Sequence, residues 1–343
     1  MTDEVLFERR GRAGFVTLNR PQALNALTLG MAEAMDAKLR EWAADPAVER
    51  VIVRTAGEKA FSAGGDVRAL YDWGKARDPR FLGFYRTEYT LNTLIKRYPK
   101  PYIALIGGIV MGGGVGISVH GSHRAAGERI TFAMPETGIG LFPDVGGTFF
   151  LPRLPGRLGL YLGLTGARLR LADCLRAGIA THHVPAVRFG ALADALCEAP
   201  DVDACLAEFQ EEAGEAPIAA LRPQIDRHFG HATIEAILAS LEANPSGWAQ
   251  ETAASLRQKS PTSLKITLRQ LKEGAGLDFE AAMQLEFRMV HRVREASDFF
   301  EGVRALIIDK DQAPRWNPPS LDAVTEAEVE SYFQPVPEPL ALA

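Results

Sequence analysis

Along the first 185 residues, short apolar runs alternate with amphipathic stretches. Val5 to Arg9 and Phe15 to Leu18, separated by a turn over Gly11 to Gly14, read as a β-hairpin. From Thr28 to Trp42, Leu29, Met31, Ala32, Met35, Leu39 and Trp42 recur at helical intervals with Glu33, Asp36, Lys38 and Arg40 between them, the pattern of an amphipathic helix. Val51 to Arg54 and Ile103 to Ile106 are short strand-like runs, and the periodicity between them predicts a helix over Phe81 to Lys96. Ile130 to Phe132 and a helix over Leu158 to Leu164 continue the rhythm to about His183, with His182-His183 expected to end a helix. Strand and helix in alternation predict an α/β domain.

Beyond residue 185 the β runs become few. Ala191 to Leu196, Ile234 to Glu242, Trp248 to Lys259, Ser263 to Glu273 and Phe279 to Glu295 all carry helical periodicity, broken by Gly and Pro. The tail from Pro314 reads as a surface extension with one short helix near Glu326 to Phe333. The expected organisation is therefore residues 1–185 as an α/β core and 186–343 as a helical region.

Pro101 to Gly121 runs without a charge for about twenty residues, long enough to span a bilayer. Its many glycines favour buried strands and tight turns instead. At 343 residues the chain buries an ample core without disulfides, and its three cysteines, Cys174, Cys197 and Cys205, form no C-x-x-C pair. A formal charge of −5, from 38 basic and 43 acidic residues well mixed along the chain, argues against a nucleic-acid partner. The first ten residues, MTDEVLFERR, lack a basic region followed by an apolar one, so the expectation is a cytoplasmic protein in a reducing compartment.

Motifs of metalloproteases, P-loop NTPases, serine hydrolases and dinucleotide binders are missing. Two glycine clusters stand in their place, each just after a predicted strand: Phe61-Ser62-Ala63-Gly64-Gly65-Asp66 and Met111-Gly112-Gly113-Gly114-Val115-Gly116. Glycine lets a ligand approach the backbone, and N–H groups at a turn leading into a helix make a ready site for an anion or oxyanion. Downstream, the apolar segment from Ala133 to Gly147 holds two charges, Glu136 and Asp144. A carboxyl in apolar surroundings suits a general base or nucleophile; equally, Glu136 fits a helix N-terminus and Asp144 an Asx turn. The seven histidines show no triad or metal spacing and read as structural or solvated.

Lys59-Ala60-Phe61-Ser62-Ala63-Gly64-Gly65-Asp66, followed by the Gly112 to Gly114 triplet, resembles the crotonase (enoyl-CoA hydratase/isomerase) superfamily. Phe15 to Asn25 (FVTLNRPQALN) and the Glu136 region share the likeness. FAMPETGIGLFPDVGGTFFLPRL, MGGGVGISVHG, YRTEYTLN and the segment Ser297 to Pro318 resemble its 3-hydroxyisobutyryl-CoA hydrolase branch. The resemblance implies a crotonase-like ββα spiral core, 1–185, that binds acyl-CoA, followed by a helical C-terminal region, 186–343, covering the active site. It implies a thioester whose carbonyl oxygen sits between the N–H groups of Gly65 and Gly113, with Ala63 and Asp66 seating CoA through backbone contacts. Hydratases of the superfamily use two glutamates; the first position is Gly116 here and the second is Glu136. Asp144 is the hydrolase branch's partner for Glu136, and Glu88 matches a substrate-contacting glutamate. Hydrolysis of a short 3-hydroxyacyl-CoA follows, without a cofactor beyond the CoA of the substrate. The rivals are an enoyl-CoA hydratase or isomerase and a non-catalytic acyl-CoA-binding protein. Arg20, Lys59, Arg68 and Lys310 are candidates for the CoA phosphates; other superfamily members commonly form homo-oligomers, and the longer C-terminal part here leaves the oligomeric state open.

Overall fold

The N-terminal hairpin forms as expected: β1 (Val5–Arg10) and β2 (Ala13–Leu18) pair antiparallel, Val5 opposite Leu18 and Arg10 opposite Ala13. The computed structural model describes residues 3–342. Its other strands are β3 (Arg50–Thr55), β4 (Ala60–Ser62), β5 (Tyr102–Ile106), β6 (Ile109–Met111), β7 (His123–Ala126), β8 (Thr131–Ala133) and β9 (His182–His183). Six strands form one sheet in the order β1-β2-β3-β5-β7-β9, and three form a second in the order β4-β6-β8. After the hairpin the pairings of the larger sheet are parallel, in a register that sets Phe15 beside Ile52 and Ile52 beside Ile103.

His182-His183 is a strand and not the end of a helix. Its residues lie beside Ala125 and Ala126, and the Thr181 and Val184 N–H groups donate to the Arg124 and Ala126 carbonyls. Two residues are too few for any periodicity to declare a strand. The uncharged stretch from Pro101 becomes β5, β6 and a short helix, Gly113–Gly116. Among the described residues no helix is long and apolar enough to cross a membrane.

By its contacts the chain divides into two compact units, each assembled from three segments: 1–65, 90–132 and 168–220, and 66–89, 133–167 and 221–343. In the first unit, Thr28 caps the helix Leu29–Ala44 by accepting from the Met31 N–H, and that helix buries Met31, Ala32, Met35, Leu39 and Trp42. Helices Phe189–Glu198 and Val202–Phe209, beyond residue 185, belong to this unit. Their Leu192, Leu196, Val202 and Leu206 share a core with Phe15, Ile52, Ile103 and Ala125 of the sheet. Burial of such side chains stabilises the unit by about 1.5–3 kcal/mol each.

In the second unit the helices Pro261–Gly274 and Phe279–Glu295 are capped by Ser260 and Asp278 and carry long buried stripes. Aromatic rings form a wall within it: Phe81 lies 5.4 Å from Tyr85 and 5.9 Å from Phe299, and Tyr89 lies 5.8 Å from Tyr85 and 6.4 Å from Phe287. Edge-on contacts of this kind fix ring positions as well as burying area.

Candidate active site

The two glycine loops meet in the first unit. The loop after β4 is pinned by residues 24–27: the Ala63 N–H donates to Leu24, the Gly64 carbonyl accepts from Leu27, and the Asn25 amide donates to the Ala60 carbonyl. Gly64 has φ +119°, and a Cβ there would lie 3.8 Å from the Gly113 nitrogen. At Gly114 a Cβ would stand 2.5 Å from the Ser62 carbonyl oxygen, so only glycine lets the loops come this close. Gly113 opens the helix Gly113–Gly116, where an N–H has no intrahelical acceptor. Among the described residues neither the Gly65 nor the Gly113 N–H donates to another protein group. Ala63 has its N–H committed to Leu24, and the Asp66 carboxylate caps the helix Val67–Lys75 through the Ala69 N–H.

The second unit gathers acids. Glu136 begins a 3-10 turn, Glu136–Ile139, that follows β8. That turn is held by the Thr137 hydroxyl donating to the Leu164 carbonyl at 3.0 Å and by the Thr137 carbonyl accepting from the Ser260 N–H. Gly302, in the segment SDFFEGV, lets the helix Asp298–Val303 lie against Ile139, where a Cβ would stand 2.5 Å from the Ile139 carbonyl. Asp144 accepts a 2.9 Å hydrogen bond from the Tyr89 hydroxyl. Glu88 is one residue before Tyr89 on the helix Arg80–Lys96. Glu88, Glu136, Asp144 and Glu286 are all at least 96 % buried. One oxygen of Glu136, one of Glu88 and the Tyr85 hydroxyl are buried with no hydrogen-bond partner.

Burial governs the titration of these acids. It lifts Asp144 to about 7 against the Tyr89 hydrogen bond, which favours the charged form. Glu136 is pushed well above the ordinary carboxylate range by burial and then by the charge of Asp144. Glu88 is raised by burial and by Asp144 and Glu286, and Glu286 reaches about 8 from burial and Asp144. Tyr85 and Tyr89 are raised by burial and the same negative field. Neighbouring acids titrate as a set, and the charge of Asp144 adds to burial in favouring the protonated form of Glu136.

The structure thus brings Glu88, Glu136 and Asp144 into one buried group and Gly65 and Gly113 into one pair of adjoining loops. Among the candidate cations, Arg20 is engaged by Glu4 at 3.1 Å and Arg68 faces Asp72 at 3.5 Å. His183 and His228 bond to the Glu211 carbonyl and to Ser240. The three cysteines are free and buried, and among the described residues no group of three His, Cys, Asp or Glu side chains is placed to hold a metal ion. Sequence reasoning missed Tyr85, Tyr89 and Glu286. The signal for Glu286 was present: it occupies the same helical stripe as Ala282, Met283, Val290 and Val293, an acid where the pattern asks for an apolar residue.

A parallel strand pair feeding two glycine turns in one unit, and a set of buried acids in the other, are features of an enzyme of the crotonase fold. Two solved structures are similar to the chain throughout. One is a carnitinyl-CoA dehydratase from Mycobacterium thermoresistibile, with TM-score 0.95, 40% identity and 99% of each chain covered. The other is an enoyl-CoA hydratase from Rhodobacter sphaeroides 2.4.1, with TM-score 0.93, 43% identity, and 99% of this chain and 100% of that one covered. The enoyl-CoA hydratase/isomerase family profile matches residues 13–333, and the chain belongs to that family. The mitochondrial 3-hydroxyisobutyryl-CoA hydrolase of Danio rerio is 48% identical over 346 residues, covering 98% of this chain and 90% of that protein. That name corrects the expectation of a cytoplasmic protein, since this relative is a mitochondrial one. A short acidic decapeptide reports its own composition and not a compartment.

Proposed function

We propose that the chain is a thioester hydrolase that converts 3-hydroxyisobutyryl-CoA to 3-hydroxyisobutyrate and CoA, a step of valine breakdown. The observation that carries this reading is the pairing of Glu136 with Asp144, both buried, with an unpartnered Glu136 oxygen and Tyr89 holding Asp144. Gly116, buried on the other glycine loop, supplies no second glutamate for addition of water to a double bond. The 48% identity to a protein named for this hydrolysis supports the same substrate.

The Gly65 and Gly113 N–H groups receive the thioester carbonyl oxygen and stabilise the negative charge that forms on it. One such donor is worth about 2.7–4 kcal/mol. Asp144 accepts a hydrogen bond from the substrate's 3-hydroxyl. Glu136 acts in its ionised form, its proton having been released to solvent. Glu136 then removes a proton from water as it adds to the carbonyl, or adds directly through its carboxylate oxygen. The tetrahedral intermediate collapses with loss of CoA thiolate, giving the acid in the first case and an anhydride, opened by water, in the second. Glu88 and the Tyr85 hydroxyl complete the polar lining around the acyl group.

Thiol release from 3-hydroxyisobutyryl-CoA, 3-hydroxypropionyl-CoA and crotonyl-CoA, with the enoyl absorbance of the last followed in parallel, tests the reading. Release from the hydroxyacyl esters with crotonyl-CoA inert is the expected result. Loss of enoyl absorbance without thiol overturns it in favour of hydration, and binding without either reaction points to a non-catalytic acyl-CoA protein.

A further inference from the structure

The roles above leave one buried acid unused. Glu286, on the helix Phe279–Glu295, has no exposure to solvent. Burying an acid is costly unless its oxygens are well bonded. Both are: one accepts from the Gly146 N–H and the other from the Thr148 N–H, each at 2.9 Å. On the same stretch the Gln270 amide donates to the Pro143 carbonyl and to the Thr148 hydroxyl, each at 2.7 Å. Asp144 and Val145 lie between these anchors.

The backbone there is one the local sequence disfavours. Val145 has φ +50° and Gly146 φ +87°. A β-branched residue remains in the left-handed region only where its surroundings over-determine it. Two N–H donors facing one side chain also require two acceptors, which a carboxyl has and an amide lacks. We infer that Glu286 is a positioning residue: its two oxygens grip the Gly146 and Thr148 N–H groups and hold the Asp144-Val145-Gly146 turn in the conformation that presents Asp144 to the substrate. Gln270 supports the same turn through Pro143 and Thr148. This inference rests on the function proposed above and adds residues to its mechanism.

A double-mutant cycle with Asp144 tests it. Glu286→Gln keeps the side chain's volume and turns one acceptor into a donor. In this variant kcat for thiol release falls about 10- to 100-fold while KM stays within about threefold. Amide exchange of the peptide spanning residues 143–149 quickens by about tenfold or more. In an Asp144→Asn background the same change costs less than about twofold further, because Glu286 then has nothing to position. Equal losses in both backgrounds, the mark of a general stabiliser, overturn the inference, and so does unchanged exchange at 143–149. If Glu286→Gln does not fold, Gln270→Met enters the same cycle with an expected loss of about 3- to 10-fold. The two readings fail separately: a wild-type protein that releases no thiol removes the hydrolase function, whereas exchange at 143–149 judges the grip on the turn without reference to turnover.

Discussion

The first unit offers backbone donors and the second offers side-chain acids. In the first, the Gly65 and Gly113 N–H groups owe their place to the absence of side chains, and the donors themselves carry no titratable group. In the second, Glu136 and Asp144 owe their chemistry to burial, so their behaviour is set by pH and by one another. A donor made of backbone cannot be replaced by any side-chain substitution but can be displaced by one added methyl. An acid made of burial can be neutralised without moving anything. Substitutions in the two units therefore leave different kinetic signatures.

The largest effect is expected from Glu136→Gln, which keeps shape and removes the charge: turnover falls by about 10³- to 10⁵-fold while acyl-CoA affinity stays within about tenfold. Single-turnover kinetics and calorimetry on the same variant read both. Unchanged turnover would remove Glu136 from the mechanism. Next comes Gly114→Ala. Its methyl would stand 2.5 Å from the Ser62 carbonyl, so the loops must part and the Gly113 N–H must move with them. The expected loss is about 10²- to 10³-fold in kcat, comparable to removing one oxyanion donor. The acid limb of its pH–rate profile should stay where it is in the wild type. A limb that moved would blur the distinction between donor and acid.

A smaller, sharper effect lies in the pH profile itself. With burial raising both acids, the acid limb of kcat/KM falls above the ordinary carboxylate range. Asp144→Asn removes the charge that helps to keep the proton on Glu136, so the limb of the residual activity shifts to lower pH. A limb that stayed put or rose would break the coupling. The smallest effect is on stability. Asp144 is raised from 3.8 to about 7 and Glu286 from 4.5 to about 8, so across those windows the folded chain holds more protons than the unfolded one. Stability is then greatest at the acid side, declines as pH climbs through the windows and levels off above them. Melting temperatures at several pH values between about 5 and 9 should show this decline, and Glu136→Gln should make it shallower. A melting temperature that rose over that range would mean that the acids are paired with cations.

Much of this was legible beforehand. The helix over Phe279–Glu295 and the helix over Ile234–Glu242 lie where their apolar periodicity places them, with Asp278 and Thr233 as caps. The hairpin and the strands β3 and β5 were readable from short apolar runs. What stayed hidden depended on partners distant in sequence. The helix Ile218–His228 has Pro223 inside it, which interrupts its pattern, and the helix Val67–Lys75, though amphipathic, is only nine residues long. β9 is two residues long and exists because β7 has free backbone groups beside it. Glu136 and Asp144 stood out as charges in an apolar segment, but their joint titration with Glu88 and Glu286 depends on burial that no local pattern announces. Tyr89, which bonds Asp144 across 55 positions of sequence, could not be picked out from its neighbours.

The interleaving of the two units has a consequence for how the chain is made. Residues 1–65 and 90–132 emerge from the ribosome with the larger sheet still missing β9 and with Phe15 and Ile52 not yet covered by the helices at 189–209. The first unit cannot close until about residue 220 has been synthesised, by which time two segments of the second have already passed. Those long-range closures make for slow folding with exposed apolar surface on the way, a state that chaperones recognise. Truncation has the same difficulty, since no single cut separates the two units: residues 1–220 hold all of the first but carry two segments of the second with them. A chain stopped at residue 185 would keep all nine strands and lose the side chains of Leu192, Leu196, Val202 and Leu206 that shield them. Fragments of this protein are therefore expected to aggregate more readily than the full chain.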